Sequence, residues 1–573
     1  MKRKMYAALP LLAVMLLVLC LSVPGTAASD TGSESAGENE TEIVTETEAE
    51  TEAESEALLD GLVTVNGQEL YYKNGQVYTG IVKIDGSSYY FVNGVMQKSK
   101  WYTSESGAKY YFRKSGIMAA GVRLKINGSY YYFASSGKMV TSKRVKINDY
   151  YYYFNSKGKM VTSKRVKVND YYYYFNSSGK MVTSKRVKIN DYYYYFNSSG
   201  KMVTSKRVKI NDYYYYFNSS GKMVTSKRVK VNDYYYYFNS KGKMVTSKRV
   251  KINGSYYYFG SGGKMVTSKK VQIGDYYYYF GSNGKMATGL KNINGSYYYF
   301  GSNGRMVTGL KEIDGSYYYF KSDGKRLTGW LKDDSGNQYY FDEETGKRVT
   351  GKQIISHYIR YFDEKGVLYR SVDMNGKMVA LTYDDGPSKN TTTILNTLKK
   401  YNSVATFFVV GNRVSTYKST LKAAFDMGCE IGNHTWDHST LTRLSASSVK
   451  SQLTRTNKAV KAITGVSPVI MRAPGGSSNS TVSSVAGMPI IYWSIDTRDW
   501  ATHSSSQTIN AVLNHVQDGD IVLMHDLYSW TASASKTIIP ALVKRGYQLV
   551  TVSELAECRG GMTNGTVYKS FRK

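Results

Sequence analysis

Titratable and small side chains gather in five short clusters in the last third of this 573-residue chain. Each follows a stretch that predicts a strand, and loops at the carboxyl ends of parallel strands converge on one edge of the fold. We therefore expect the five clusters to form one site. They are Thr382–Pro387 (TYDDGP), His434–His438 (HTWDH), Met471–Gly476 (MRAPGG), Asp496–Trp500 (DTRDW) and Leu523–Asp526 (LMHD).

The first two clusters favour a metal site. Asp384 and Asp385 are adjacent carboxylates that repel each other, and a cation relieves this while leaving one of them free as a base. His434 and His438 are four residues apart, a spacing that places both on one helical face. With Asp385 they make a His₂Asp set with a position open to water, as in catalytic zinc sites. Zn²⁺ is predicted, although Co²⁺ or another divalent ion also suits these ligands. A simple Asp-Gly-Pro turn is the alternative interpretation of the first cluster taken alone.

The other three clusters supply orienting and proton-transfer groups. Arg472 can hold a carboxylate with two parallel hydrogen bonds. Gly475 and Gly476 allow backbone N–H groups to approach a ligand closely. His525 follows a predicted strand over Asp520–Leu523, where a lone histidine is more often structural. The last two clusters are weak signals individually.

In this order, the five motifs resemble the polysaccharide deacetylases, the NodB-like carbohydrate esterase family 4, over about residues 375–553. The resemblance implies an irregular (β/α) barrel that hydrolyses acetyl groups of a glycan. Two departures occur: Tyr383 stands where Phe is usual, and Ala473 and Gly475 stand where larger residues are common, which opens one wall of the groove. The implied roles are Asp384 as general base; Asp385, His434 and His438 as metal ligands; Arg472 as the partner that positions Asp384; Asp499 as the residue that orients the general acid His525; the Gly475 N–H as an oxyanion donor; and Trp500 and Leu523 as the lining of the acetyl-methyl pocket.

Alternating strands and helices must position these clusters. Strands are predicted over Met378–Thr382 and Ala405–Val410, and helices over Thr391–Tyr401 and Thr420–Met427. This alternation is typical of a parallel α/β sheet or barrel. We assign residues 371–573 to a deacetylase domain with its core at 375–556.

The preceding region, residues 59–370, repeats itself. A phenylalanine recurs every 21 residues from Phe91 to Phe280, then at spacings of 20 and again 21 as far as Phe362. Such a period predicts an array or solenoid of small units that bury apolar surface against their neighbours. In one unit the run Tyr150–Phe154 suits a strand, Asn155–Gly158 a turn and Lys159–Thr162 a second strand. The fold class is thus an all-β hairpin-repeat solenoid followed by an α/β barrel, with about half of each tyrosine run facing inward.

The repeats resemble the cell-wall-binding repeats of Gram-positive surface proteins, the choline- and glucan-binding group, most closely at Thr328–Lys332 and in their Tyr-Tyr-Phe cores. In that group a Gly-Trp pair helps to cage choline. Here the region holds only Trp101 and Trp330, and the middle repeats read Ser-Lys-Arg-Val, as at Ser163–Val166. Since one unit, residues 142–162, has five cations against Asp149, its net charge is +4. We predict binding to an anionic wall polymer such as teichoic acid, or to glycan stacked on tyrosine; a soluble spacer with solvated charges is the alternative.

The N-terminus predicts export. Lys2–Lys4 are basic, an apolar run extends from Ala7 to about Leu21, and small residues follow, which together are typical of a signal peptide over residues 1–28. A membrane anchor is the alternative, but a spanning helix needs about 20 apolar residues. Residues 29–58 are polar and acidic and predict a disordered linker. Export argues against nucleic acid as the partner of this chain of net charge +32 and leaves no transmembrane span after cleavage. A disulfide between Cys429 and Cys558 stays open.

Together these observations predict a secreted, wall-associated, metal-dependent enzyme. Its predicted substrates are the N-acetyl groups of peptidoglycan, on N-acetylglucosamine or N-acetylmuramic acid. The enzymatic alternatives are an O-acetyl esterase acting on xylan and a deacetylase of chitin or poly-N-acetylglucosamine. A wall-bound adhesin or scaffold with an inactive barrel is the non-enzymatic alternative, against which the complete set of motif residues argues.

Overall fold

The structure is a computed structural model that describes residues 60–573. The predicted signal peptide and the linker over residues 29–58 lie outside the described residues. Internal contacts divide the chain into two compact units: one extends to Lys185 and includes Phe196–Met202, and the other comprises Arg186–Tyr195 and Val203–Lys573. In the described part of the chain, every helix is too short or too polar to cross a membrane.

Most repeats fold as antiparallel β-hairpins, which confirms the predicted hairpins and their tyrosine strand but not the second predicted strand. Lys143–Ile147 pairs with Tyr150–Phe154 across a tight turn. The segment after the tyrosines, predicted as a second strand, contributes only one bridge, between Met160 and Phe154. The physical reason lies in the turns: Asn148 has a φ of 54°, and asparagine tolerates the left-handed conformation that closes such a hairpin before the aromatic run.

The strands of the repeat region fall into several groups. The first sheet contains Gly61–Val65, Gln68–Lys73, Gln76–Val77, Gly80–Ile84, Ser87–Val92 and Val95–Met96. The two-stranded hairpins are Lys100–Thr103 with Lys109–Phe112, Val122–Ile126 with Ser129–Phe133, Lys143–Ile147 with Tyr150–Phe154, Lys164–Val168 with Tyr171–Phe175, Lys185–Ile189 with Tyr192–Phe196, Lys206–Ile210 with Tyr213–Phe217, Lys227–Val231 with Tyr234–Phe238, Lys248–Ile252 with Ser255–Phe259, Lys269–Ile273 with Tyr276–Phe280, Gly289–Ile293 with Ser296–Phe300, Gly309–Ile313 with Ser316–Phe320, and Gly329–Lys332 with Gln338–Phe341.

The aromatic run of each hairpin divides between core and surface. Phe154 is fully buried and Tyr152 is 5% exposed, whereas Tyr151 is 38% exposed. The alternation follows from the period of two along a strand. Packing passes from hairpin to hairpin, since the rings of Tyr153 and Phe175 lie 5.9 Å apart between centroids. Each unit therefore completes its apolar core with the next one, while the regular solenoid stays a prediction.

The final repeat is a three-stranded antiparallel sheet that packs on the C-terminal α/β domain. Its strands are Gly351–Ile355, Tyr358–Phe362 and Leu368–Asp373. Ile359 and Val372 are buried in the same apolar cluster as Met378 of the following strand. Arg370 and Glu554, both buried, form an ion pair in which Nη2 lies 2.8 Å from Oε2. This three-stranded sheet therefore shares an apolar core with the C-terminal domain.

A parallel sheet forms the centre of that domain, which confirms the predicted α/β class. Its strands run in the order Glu430–Asn433, Thr406–Val409, Met378–Asp384, Asp520–His525 and Ile495–Asp496, and Gln548–Leu549 also pairs with the central strand. Isolated parallel bridges continue from Asn433 to Met471 and from Met471 to Ile490. Closure of these elements into an irregular barrel stays a prediction.

Helices cover the sheet close to their predicted positions. The central strand is buried along its whole length, as its nearly unbroken apolar sequence requires when both faces are covered. The α-helices are Thr391–Lys400, Lys418–Asp426, Ala446–Thr464, Ser480–Ala486, Asp499–Thr502, Ser505–Leu513, Ser529–Lys544 and Val552–Glu557, with short 3₁₀ turns at Gly411–Arg413, Leu441–Arg443 and Pro474–Gly476 and a small parallel pair formed by Ile490–Ile491 and Val567–Tyr568.

The two cysteines of the domain are not bonded to each other. Cys429 is buried and Cys558 is half-buried, and both are free thiols. Burial raises the pKa of the Cys429 thiol to about 12. The disulfide that the sequence leaves open is therefore not formed in this structure.

Candidate active site

The loops at the carboxyl ends of the parallel strands enclose a pocket of about 390 Å³. All five sequence clusters contribute to this pocket or to the layer directly behind it, as the topology predicts. Arg472 and Asp499 form that layer and contact the lining residues. The lining residues are Asp384, Asp385, His434, His438, Gly475, Trp493, Asp496, Trp500, Leu523, His525 and Tyr528.

Asp384 is the last residue of the central strand and is held by a buried arginine. Its side chain is 3% exposed, and Arg472 Nη1 donates a hydrogen bond of 2.7 Å to its Oδ1. The same nitrogen donates to Thr382 Oγ1, and Arg472 Nη2 donates to the carbonyl oxygen of Tyr492. Burial lowers the pKa of Arg472, and the Asp384 carboxylate opposes that shift. One oxygen of Asp384 is thus fixed, and the other, Oδ2, lies 3.7 Å from His434 Nε2.

Asp385, His434 and His438 meet in the pocket. Asp385 Oδ1 lies 3.2 Å from Nε2 of His434 and 3.0 Å from Nε2 of His438, and the three ligand atoms lie within 4.8 Å of one another. Burial would raise the pKa of the Asp385 carboxyl, but the two imidazoles hold it well below its usual range. The oxygen facing the histidines is therefore anionic.

The helix expected for the two histidines is wrong. The strand Glu430–Asn433 ends directly before His434, and both histidines lie in the loop that follows. Thr435 and His438 have φ angles of 68° and 65°, so the loop folds back on itself. Thr435 N–H donates to Asn433 Oδ1 at 2.8 Å, which stabilises this turn. A spacing of four residues brings two side chains together in a tight loop as well as on a helix.

The donor set fits a divalent cation. His434 Nδ1 lies 2.8 Å from the carbonyl oxygen of Arg472, and because a carbonyl only accepts, Nδ1 is the donor and Nε2 is the nitrogen that can bind a metal. Asp385 Oδ1 is buried and makes no hydrogen bond of normal geometry, although two imidazole nitrogens face it. A carboxylate oxygen and imidazole nitrogens directed at one point are the ligands that zinc and similar ions take.

His525 and Asp499 form a second coupled pair. His525 Nδ1 donates to Asp499 Oδ1 at 2.8 Å, and the His525 backbone N–H donates to Oδ2 at 2.8 Å. Thr531 Oγ1 also donates to Oδ2, at 2.6 Å. Burial lowers the pKa of His525, but Asp499 and the carboxylates of the pocket more than offset this effect and raise the pKa to about 9. His525 is therefore an imidazolium at neutral pH, with Nε2 as its second proton-bearing nitrogen.

Gly475, Trp500 and Leu523 line the same pocket, as the resemblance implies. Gly475 has a φ of 61° in the turn Pro474–Gly476, a conformation that favours glycine. Trp500 is 48% exposed, whereas Leu523 is 3% exposed. The Trp493 ring lies beside the neighbouring glycine, 2.8 Å from the position that a Cβ at Gly476 would take, whereas a Cβ at Gly475 would lie 3.9 Å from Ser477 Oγ.

Sequence reasoning misses several contributors to the site. Trp493 and Tyr528 line the pocket but belong to no motif. Thr531 supports Asp499 from the first turn of the helix Ser529–Lys544. Asp496 belongs to a motif but had no predicted role, and its Oδ1 accepts the Arg498 N–H at 2.8 Å. Only proximity to His525 in the sequence could have drawn attention to Tyr528.

Comparison with known proteins identifies the family to which this chain belongs. The family model described as polysaccharide deacetylase matches residues 371–488. The chain is 36% identical over 199 residues to a peptidoglycan-N-acetylglucosamine deacetylase of Bacillus cereus, covering 33% of this chain and 93% of that protein. The chain belongs to the polysaccharide deacetylase family. Models described as choline-binding repeat and putative cell wall binding repeat match segments of this family member between residues 101 and 352 and at residues 271–286.

Two further relatives are similar to part of this polysaccharide deacetylase. The peptidoglycan-N-acetylmuramic acid deacetylase PdaC of Bacillus subtilis is 38% identical over 223 residues, which is 39% of this chain and 47% of that protein. The peptidoglycan-N-acetylglucosamine deacetylase PgdA of Listeria monocytogenes is 43% identical over 180 residues, which is 31% of this chain and 39% of that protein. The chain thus spans less than half the length of these two relatives.

Proposed function

We propose that this protein is a secreted, metal-dependent deacetylase that removes N-acetyl groups from N-acetylglucosamine or N-acetylmuramic acid of peptidoglycan, held at the wall by its repeats. The observation that carries the proposal is the convergence of Asp384, the Asp385–His434–His438 cluster and His525 in one pocket. Peptidoglycan is favoured because the relatives just described are named as deacetylases of that polymer. The proposed organisation is a signal peptide over 1–28, a linker over 29–58, wall-binding repeats over 59–370 and a barrel-shaped deacetylase domain over 371–573.

Asp385, His434 and His438 would hold the metal, for which zinc is the best chemical match. When bound, a divalent ion polarises the acetyl carbonyl and lowers the pKa of a water molecule to about 7. The tautomer of His434 is set in advance by the carbonyl of Arg472. The hydrogen bond that orients His434 toward the metal is therefore already present in this structure.

Asp384 acts as the general base that accepts the proton of the attacking water. Arg472 holds its Oδ1 at 2.7 Å, which leaves Oδ2 free to take that proton. The backbone N–H of Gly475 donates to the oxyanion that develops on the acetyl group, and a donor of this kind is worth about 3–4 kcal/mol in comparable sites. Trp500 and Leu523 enclose the acetyl methyl group.

His525 acts as the general acid that protonates the leaving amine. An amide nitrogen leaves badly as an anion, so proton donation to it is required for cleavage. Asp499 fixes the ring through Nδ1 at 2.8 Å and keeps it protonated. The proton on Nε2 is then available to the sugar nitrogen.

Acetate release from purified peptidoglycan tests the enzymatic proposal. Wild type, Asp385→Ala and His434→Ala are compared, with metal content measured for each, and His515→Ala serves as control because His515 is exposed outside the pocket. Wild type and the control should release acetate and retain metal, whereas the two site variants should lose about 10³-fold in rate or more. Equal release by all four proteins would overturn the proposal. Faster release from acetylated xylan or chitin than from peptidoglycan would overturn the substrate assignment alone.

Retention on isolated cell walls tests the tether. Deletion of residues 122–268 removes seven 21-residue units and keeps the deacetylase domain intact. The shortened chain should wash from walls at a salt concentration that leaves the full chain bound. Equal retention of the two chains would contradict wall attachment through these repeats.

A further inference from the structure

A cation lies over one particular tyrosine in ten successive hairpins of the array. We call this residue the outer tyrosine; it stands three positions before the buried phenylalanine. In one hairpin Arg144 Cζ lies 5.0 Å from the ring centre of the outer tyrosine Tyr151 and 4.4 Å from that of Tyr173 in the next hairpin. The guanidinium is thus held between two electron-rich faces. The other pairs of this kind are Arg123 with Tyr130, Arg165 with Tyr172, Arg186 with Tyr193, Arg207 with Tyr214, Arg228 with Tyr235, Arg249 with Tyr256 and Lys270 with Tyr277.

Two hairpins have an apolar residue at the strand position of Arg144 but keep the cation. Leu290 and Leu310 occupy the arginine position, paired across the hairpin with a tyrosine as Arg144 is. In these hairpins the outer tyrosine is covered instead by an arginine from further along the chain, at 4.3 Å in both cases. The pairs are Arg326 with Tyr297 and Arg348 with Tyr317.

The replacement cation comes from a position that is otherwise methionine. Arg326 and Arg348 form the bridge to the buried phenylalanine that Met160 and its counterparts form in earlier hairpins. In those earlier hairpins the methionine sulfur contacts the arginine, as Met181 Sδ does at 3.6 Å from Arg144 Nη1. The chain therefore maintains a cation on ten successive outer tyrosines by two different routes. The constant feature is the pair itself, not the residue position that supplies the charge.

Three of these cations are available to an anion. Within residues 60–573, Arg144, Arg207 and Arg228 form no ion pair with a carboxylate, and each is only partly buried. Beside Arg165 lies a cleft of about 720 Å³ whose charged lining is entirely cationic. Its other charged residues are Lys159, Lys164 and Lys167. A guanidinium stacked on a ring still presents its N–H groups at the edge, where a phosphate oxygen can accept them.

We propose that each pair of a cation and an outer tyrosine is a phosphate-binding site for a linear phosphodiester polymer of the cell wall, and that these tyrosines do not take choline. This inference rests on the proposed wall tether and names its ligand chemistry. A single exposed ionic contact is weak, but sites repeated once per 20 or 21 residues suit a polymer with regularly repeated charge, because many weak contacts to one molecule reinforce each other. Choline is disfavoured because the protein's own cation, which already lies at each of these rings, repels a second one.

Binding of the full chain to inorganic polyphosphate tests the site. The variant Arg144→Gln/Arg207→Gln/Arg228→Gln removes three ring-bound cations. Its matched control, Lys114→Gln/Lys157→Gln/Lys241→Gln, removes the same charge from exposed turn lysines. The arginine variant should bind on the order of tenfold more weakly than the control. Its affinity should also depend less steeply on salt, because fewer phosphates are neutralised and fewer counterions are released on binding. Equal weakening of the two variants would overturn the proposal, since it would indicate attraction to net charge alone.

A conservative variant separates a binding role from a structural one. Arg→Lys at the same three positions keeps the cation, and Lys270 already fills this place over Tyr277 at 5.2 Å. Lysine should restore most of the affinity for polyphosphate, whereas failure to restore it in a folded protein would contradict a site that needs only the charge. Circular dichroism of every variant establishes that the hairpins are folded.

Two competition experiments define the ligand. Choline chloride should displace the wild type from polyphosphate no better than the same concentration of NaCl, and stronger displacement by choline would overturn the second part of the proposal. Vesicles rich in anionic lipid should compete less well than polyphosphate at equal phosphate concentration, and the reverse order would assign the site to membranes. If the arginine variant binds polyphosphate normally while deletion of residues 122–268 still abolishes wall retention, the tether stands and this site is wrong.

Discussion

The repeat array and the deacetylase domain both hold arginine against aromatic rings, but they assemble these contacts in different ways. Arg144 contacts Met181, 37 positions later, and the same spacing recurs along the array. Arg472 is fully buried and contacts Asp384, which lies 88 positions earlier in the chain. It also stacks on Phe408, with Cζ 4.3 Å from the ring centre. The first kind of contact follows from a local repeat, whereas the second exists only once the whole sheet has formed.

Because of this difference, the array should tolerate the loss of single contacts, whereas the pocket should not. A hairpin meets its neighbours through copies of one contact, so the loss of one copy leaves the rest in place. In the pocket, each of five loops supplies a different group, and no other residue duplicates its role. We therefore expect equal substitutions in the two regions to have very unequal effects.

The same substitution, Arg→Gln, at Arg472 and at Arg207 gives the largest expected contrast. Arg472→Gln leaves the Asp384 carboxylate buried without its charged partner, which costs about 3–5 kcal/mol of folding free energy and at least about 10²-fold in activity through loss of positioning. Arg207→Gln removes a partly exposed cation–π contact worth about 1 kcal/mol. Acetate release from a soluble chitooligosaccharide and unfolding in urea, followed by tryptophan fluorescence, measure both effects. Activity of Arg472→Gln within tenfold of wild type would remove the contrast.

The pH dependence of the domain sharpens the comparison, because it depends on one coupled pair. His525 has a pKa of about 9, so as a general acid it is active below that pH, and its proton is lost as the pH rises through 9. In Asp499→Asn the carboxylate is gone while the burial that lowers the pKa remains. The pKa of His525 should fall from about 9 toward its ordinary value of about 6.5, because Asp384 and Asp385 still raise it while burial lowers it.

The alkaline limb of the rate profile of Asp499→Asn should therefore move to lower pH, and the rate at pH 8 should drop by up to about 30-fold. The measurement is the rate of acetate release from pH 5 to 10. Asp426→Asn, an exposed change on the helix Lys418–Asp426, is the control and should keep the wild-type profile. An unchanged alkaline limb in Asp499→Asn would show that the proton lost there is not that of His525.

The sequence predicts the elements of both regions better than their details. The aromatic runs and turn residues of the repeats predict hairpins, yet the strand before the turn Asn148–Asp149 is missed because Met160 and Val161 also suit a strand. The Asn-Asp pair prefers a tight turn directly before the tyrosine run, and this preference determines which segment pairs with the tyrosine strand. Local propensity finds the right motif and, in this case, the wrong partner strand.

In the deacetylase domain the motifs predict the site residues but not all of their surroundings. His434 and His438 were expected on a helix, since a spacing of four alone does not distinguish a helix from a folded loop. Trp493 reaches the pocket because Gly476 leaves room for its ring, which is a packing outcome without any sequence signal. Thr531 is brought to Asp499 by the start of a helix that follows a different strand. Such contacts depend on tertiary packing rather than on any spacing within a motif.

A core substitution inside one hairpin gives the smallest expected effect and tests the local character of the array. Phe217 is fully buried, and its ring lies 5.9 Å from that of Tyr195 in the preceding hairpin. Phe217→Leu should destabilise its own hairpin and the adjoining ones by about 1 kcal/mol. Its matched control is Lys209→Gln, an exposed change on the paired strand of the same hairpin, which should change stability less.

Amide hydrogen exchange resolved along the chain measures this effect, because it reports the free energy of local opening for each segment. Faster exchange should be confined to the hairpins that adjoin Phe217, and acetate release from a soluble chitooligosaccharide should stay at the wild-type rate. If exchange instead rises throughout the chain and activity falls, the repeats and the domain unfold as one cooperative unit. In that case the contrast between a locally assembled array and a globally assembled site would not hold.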